Sequence, residues 1–242
     1  YWLKERDTQP VLDYLKAEND YTFAKMKHTE LLQKTLYNEM RGRIKEDDTT
    51  VPYKFGNYMY YTRTEENLQY DIYCRKLGNS SGAEEITLNM NDMAKKHDYI
   101  DISAYKISPN EKLLAFTIDT SGAELHKLIV KDIKTGEILD DHLSNLDGSV
   151  EWANDNKTVF YTSKNKITLL GEKIYRHKVG TDSKEDVLVY TEKDVTYYNG
   201  VYRSKSGKYI IIYNSSTLVS DYHILNADNP SGEFINFTSR GV

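Results

Sequence analysis

A mainly β chain, with an N-terminal helical arm followed by an incomplete β-propeller, is predicted by three features of the 242-residue sequence. The apolar period is helical up to about residue 44 and alternating after it. The chain holds 21 Tyr, a residue that favours strands and keeps a polar tip at half-wet surfaces. A phrase made of a polar turn and a strongly apolar strand then recurs four times. Such repeats at intervals of 40–50 residues, each a small antiparallel sheet, mark a propeller.

The helical reading rests on Val11, Leu12 and Leu15, then Leu31, Leu32, Leu36, Met40 and Ile44. Steps of three and four place them on one stripe. Pro10 suits a first helical turn. Asn19-Asp20 and Thr22 offer a break and a fresh N-cap, so two helices meeting there are predicted. Lys16, Glu18, Lys25, Lys27 and Lys34 form the other face, either solvated or docked on another domain. The arm is assigned to residues 1–46 and the β array to 47–242.

In the β array, Phe55-Gly56-Asn57 precedes Tyr58-Met59-Tyr60-Tyr61, and Asn110-Glu111-Lys112 precedes Leu113-Leu114-Ala115-Phe116. Asp155-Asn156-Lys157 precedes Thr158-Val159-Phe160-Tyr161, and Ser206-Gly207-Lys208 precedes Tyr209-Ile210-Ile211-Ile212-Tyr213. The closing turn residues Asn57, Lys112, Lys157 and Lys208 are 55, 45 and 51 positions apart. A second strand follows each first: 70–74, 127–131, 173–177 and 221–225. Blade-like repeats are therefore expected near 51–90, 100–142, 146–192 and 196–237. One blade is apolar on both faces and hides them only by stacking on its neighbours. An array of four presents raw edges, which invite pairing with another chain, including self-association.

Composition narrows the function. The chain is 39% hydrophobic and 29% charged, with 4 Pro and 13 Gly, which excludes collagen-like and wholly disordered classes. Its net charge of -5 argues against a nucleic-acid partner, whose backbone is gripped by Lys and Arg. Cys74 is the single cysteine, so an internal disulfide and a Cys-based metal site are ruled out. No run of about 18 apolar residues exists, so no membrane partner is expected. Tyr1-Trp2-Leu3-Lys4-Glu5-Arg6 has no signal-peptide pattern and no initiator Met, and an internal cut is expected there.

The chemistry-bearing candidates are weak. Gly78-Asn79-Ser80-Ser81-Gly82 fits the spacing of a nucleophile elbow, but a polar lead-in and a strand-like exit replace the buried strand and the helix that lift a serine above a sheet. A solvent loop is expected. His28, His97, His126, His142, His177 and His223 show no metal-ligand spacing. Glu65-Glu66, Glu84-Glu85 and Asp140-Asp141 could bind an amine, but they read as solvated strand ends. Asn79, Asn156, Asn214 and Asn236 lie in glycosylation-type triplets. No catalytic, cofactor-binding or metal-binding residue is assigned, and no cofactor is expected.

Several phrases carry a family resemblance. Tyr1-Trp2-Leu3, residues 11–19, Leu36-Tyr37-Asn38-Glu39-Met40 and residues 43–48 resemble the arm of the oligopeptidase B (protease II) group, within the prolyl oligopeptidase family of serine peptidases. So do Glu84-Glu85 with Leu88, Asn91, Ala94 and His97, then Ser108-Pro109-Asn110 and residues 114–122. Residues 151–157, Ile174-Tyr175-Arg176-His177 and 204–210 extend the likeness over nearly the whole chain. Asn89 and Lys96 depart from the pattern, where an Asp and a Gly are expected.

The resemblance implies a seven-bladed propeller over an α/β-hydrolase domain, with the arm packed on that domain. The catalytic triad and the acidic residues that select Lys or Arg belong to the hydrolase domain, so none transfers to this chain. The implied role is gating: short basic oligopeptides are admitted and folded proteins excluded, and the fragment alone is inactive. The net negative charge agrees with such substrates. A cytoplasmic setting is implied, with the periplasm as the alternative. A stand-alone protein-binding scaffold and an independent hydrolase using Ser80 are the competing readings.

Overall fold

A computed structural model describes residues 1–78, 82–139 and 143–241. The chain divides into two compact units, Tyr1–Asp48 with Glu65–Asn67, and Thr49–Thr64 with Leu68–Val242. The fold is mainly β, as the tyrosine content and the alternating period predict.

The first unit is helical. Helix α1 spans Gln9–Met26 with Pro10 in its first turn, and α2 spans Glu30–Gly42. The break between them is a 3-10 turn at Lys27–Thr29, not at the predicted Asn19-Asp20. Asp20 lies inside the helix, where Lys16 Nζ meets its carboxylate at 2.9 Å across one exposed turn and adds modest support. The actual break is stabilised by Thr29 Oγ1, which donates back to the Met26 carbonyl at 2.7 Å. Val11 is buried, whereas Leu31, Leu32, Leu36 and Met40 are exposed.

The second unit holds four successive antiparallel meanders. The first contains β1 (Tyr53–Phe55), β2 (Tyr58–Arg63), β3 (Ile72–Leu77) and β4 (Glu84–Asn89), followed by the short helix α3 (Met90–Ala94). The second contains β5 (Asp101–Ile107), β6 (Leu113–Asp119), β7 (His126–Asp132) and β8 (Ile138–Leu139). The third contains β9 (Ser144–Trp152), β10 (Thr158–Lys164), β11 (Gly171–Lys178) and β12 (Val187–Thr191). The fourth contains β13 (Tyr198–Arg203), β14 (Tyr209–Ser215), β15 (Ser220–Asn226) and β16 (Ile235–Thr238). Strands β7 and β9 also pair, through His126↔Leu146 and Lys127↔Ser144, which fuses the second and third meanders into one sheet.

Each junction between meanders has its own apolar core. Leu88 packs with Leu114, Phe116 and Ile118 between the first and second. Leu128, Val130, Val150, Trp152 and Val159 fill the second junction. Ala153, Phe160, Val201, Ile210 and Leu225 fill the third. The burial of the strands follows from this stacking. Every residue of β6 after Leu113 is buried, because neighbours cover both faces. Strand β14 alternates, with Ile210, Ile212 and Asn214 buried and Tyr209 exposed.

The turns between first and second strands are tied from blade to blade. Glu111 accepts from the Asn57 backbone N–H at 2.7 Å and from Asn57 Nδ2 at 2.8 Å. Asn156 Oδ1 accepts from the Asn110 N–H at 2.7 Å. Asn154 Nδ2 donates to the Gly207 carbonyl at 3.2 Å. Gly56 has φ +57, and a Cβ there would collide with the Glu111 carboxylate, so that turn requires glycine.

Candidate functional site at the axial cleft

The first strands of the meanders are the ones that meet. Lys106 on β5 reaches Glu151 on β9 at 2.8 Å, and the Trp152 indole N–H donates to the Lys106 carbonyl at 2.9 Å. These strands are therefore innermost, and their C-terminal ends converge on a cleft of about 570 Å³. One wall is aromatic, with Tyr53, Phe55 and Tyr105. The lining also includes Arg203, Lys205 and the Ser204–Gly207 turn, together with the Lys106–Glu151 pair.

Electrostatics divides this cleft. Glu151 is 5% exposed and fully engaged, since Lys106 holds Oε2 and the Trp152 N–H reaches Oε1 at 3.2 Å. Arg203 donates from Nη2 to Asn154 Oδ1 and to the Gly207 carbonyl. Burial lowers the Arg203 pKa, opposed by the charges of Glu151 and Asp228, yet a guanidinium remains protonated. Burial raises the Tyr53 and Tyr105 phenols, which stay neutral. Aromatic faces beside fixed cations can bind and orient a polar, partly apolar chain. The lining offers aromatic faces and cationic side chains as binding surface.

The sequence singled out other positions. Asn79, Ser80 and Ser81 of the elbow-like loop, and Asp140, Asp141 and His142, lie outside the described residues. His177 is buried, with Nδ1 2.6 Å from Asp186 Oδ1, while the Tyr161 hydroxyl donates to Asp186 Oδ2 at 2.8 Å. That arrangement ties β10, β11 and the approach to β12 together. Glu84 and Glu85 are not free strand ends: Glu84 accepts from Tyr61 and Arg63, and Glu85 pairs with Arg75 at 2.7 Å. Asn214 is buried, donating to Tyr190 and Asp221, so its triplet is closed to glycosylation. The Cys74 thiol is buried and pushed up to about 11 by burial, which leaves it inert at neutral pH. Among the described residues, no cluster of three or more His, Cys, Asp or Glu could hold a metal ion.

Two constellations escaped the sequence. The cleft is one: Lys106, Glu151 and Arg203 each fall a few residues before a recurring turn and Phe55 lies within one, so inspecting the approach to those turns would have located them. The other is a Ser103 Oγ···His126 Nε2 contact of 2.9 Å between β5 and β7. Asp101 lies 3.6 Å from the same Nε2, and buried Nδ1 has no partner among the described residues. A triad needs its carboxylate on the other ring nitrogen, so this contact does not form one.

Comparisons with known proteins bear on both units. The family model of the prolyl oligopeptidase N-terminal β-propeller domain matches residues 1–241. The chain is 32% identical over 237 residues to Protease 2 of Moraxella lacunata, covering 95% of this chain and 34% of that protein. It is 34% identical over 247 residues to dipeptidyl aminopeptidase BI of Pseudoxanthomonas mexicana, again covering 95% and 34%. Oligopeptidase B from Leishmania major superposes with a TM-score of 0.91 at 28% identity, over all of this chain and 35% of that one. The closed, antipain-bound oligopeptidase B from Trypanosoma brucei gives 0.86 at 28% identity, over all of this chain and 34% of that one. The chain spans about a third of the length of these relatives. Stacked four-stranded sheets, a helical arm and a family match along the described length lead to one conclusion: the chain belongs to the prolyl oligopeptidase family, as its N-terminal β-propeller domain.

Proposed function

We propose that this chain is the substrate-admitting part of a serine-type oligopeptidase that cleaves short peptides after Lys or Arg. Its partner in that activity is an α/β-hydrolase domain supplied by sequence outside these residues. The observation that carries the reading is the family match over 1–241 in a chain that covers only a third of its peptidase relatives. The cleft supports it further, because it offers binding surface. In the parent protein a complete propeller over the active site would admit an extended chain and exclude a folded one by size. The exposed Leu31, Leu32, Leu36 and Met40 stripe on α2 supports docking of the arm on the hydrolase domain.

The test is hydrolysis of a chromogenic Arg-amide peptide by the chain alone, by the remainder of the parent protein alone, and by both mixed. Silence from the chain alone and turnover on mixing are expected. Turnover by the chain alone, abolished by Ser80→Ala, would overturn the reading.

A further inference from the structure

The cleft carries more positive charge than the protein neutralises. Lys106 and Glu151 cancel, which leaves Arg203 and Lys205. Arg203 is half-buried, and among the described residues no carboxylate lies within ion-pair distance of it or of Lys205. Its Nε–H is sealed from solvent without a partner. Only its Nη2 is bonded, and to neutral acceptors. Three of the four other arginines in this unit are paired with carboxylates, Arg63 with Glu84, Arg75 with Glu85 and Arg240 with Asp221 and Glu192, while Arg176 donates to the Pro230 carbonyl. Glu151 and Asp228 act on Arg203 only from a distance, so its guanidinium has no direct carboxylate partner among the described residues, and Nη1 is left to donate to one. The rings of Tyr53 and Phe55, which line the same cleft, are exposed.

We propose that the cleft receives a carboxylate carried by a peptide, with Arg203 and Lys205 as its cationic receptors and the Tyr53–Phe55 wall covering the adjoining apolar side chain. This rests on the peptidase reading above and adds a selectivity to it. Net charge would draw basic peptides, whereas the cleft orients them by an acidic group, either the C-terminal carboxylate or an Asp or Glu side chain.

The experiment uses the full-length parent peptidase and three matched Arg-containing peptides: free C-terminal acid, C-terminal amide, and the amide with one added Glu. The free acid is expected to exceed the amide in kcat/KM by about tenfold through KM, the order of one charge-assisted hydrogen bond. If Glu restores the amide, the side chain is an equal source; if not, the terminus is the ligand. The preference should shrink with added salt. Lys205→Gln, at an exposed residue without bonds, should narrow the acid-to-amide ratio, and Arg203→Gln should bring it near one. Fluorescence anisotropy of labelled acid and amide peptides on the 242-residue chain reads the same ratio without catalysis. Equal treatment of acid and amide by the wild type, or a ratio that both variants leave unchanged, overturns the proposal. Absence of any hydrolysis alongside selective binding would instead overturn the peptidase reading.

Discussion

Two carboxylates, half-buried Asp147 and buried Asp221, show how the same residue type is pulled in opposite directions by its surroundings. Burial raises the Asp147 carboxyl to about 6, although Ser149 donates to it from N–H and hydroxyl at 2.7 and 2.8 Å. For Asp221, burial also pushes upward, but hydrogen bonds from Arg240 and Asn214 and the Arg240 charge more than offset it, and the net shift is downward. The signs of their pH dependence differ. In the unfolded chain an Asp titrates near about 3.9. Between there and about 6 the fold holds a proton on Asp147 that the unfolded chain has lost, so this residue's contribution falls as pH rises. The Asp221 contribution is present above about 3.9 and is lost as pH falls through its depressed value. Asp147→Asn keeps an acceptor for Ser149 and removes the buried charge. It should stabilise the chain at pH 7 by on the order of 2 kcal/mol and by nothing at pH 4. Urea denaturation at both pH values checks this; an equal shift at both would refute the burial argument.

At the level of elements, the strands form from local pattern, while their order in space depends on the turns that tie one blade to the next. Asn156 illustrates this. It sits at φ 59, and its side chain caps the Asn110 N–H of the preceding blade. Asn156→Gly keeps the left-handed backbone and loses the tie, at a cost of about 1 kcal/mol. Asn156→Ala loses both and should cost about 1 kcal/mol more. Comparing the two by chemical denaturation separates the tie from the backbone; equal losses would show that the turn conformation is unstrained. The helical break makes a related point. Asn19 and Asp20 look like a stop signal in isolation, but α1 continues through them to Met26, with Lys16 and Asp20 paired across one exposed turn.

Over the whole molecule, apolar surface is left uncovered at identifiable places. Strand β16 is exposed along its length, with Ile235 62% and Phe237 67% exposed, and the α2 stripe adds a second area. An unpaired strand edge with apolar side chains is a template for another chain. The isolated 242-residue chain should therefore self-associate as its concentration rises, and replacing Phe237 and Met40 by Glu should reduce this. Sedimentation velocity over a hundredfold concentration range decides it; a concentration-independent monomer with a sharp thermal transition would sink the expectation.

Much of this was legible in the order of residues alone. Alternation, tyrosine content and the four turn phrases determined the mainly β class, and a dozen phrases in order pointed to the family, because strand period and turn chemistry are local properties. Tertiary structure decided the rest. Lys106, Glu151 and Arg203 come together from three blades, and Ser103 meets His126 across β5 and β7, pairings that no spacing along the chain encodes. Glu84 and Glu85 read as solvated by themselves and became paired only once β2 and β3 brought Tyr61, Arg63 and Arg75 beside them. The physical reason is the same in each case. A side chain's charge, burial and partners are set by which strands lie next to it, and those neighbours range from 10 positions away for Arg75 and Glu85 to 45 for Lys106 and Glu151.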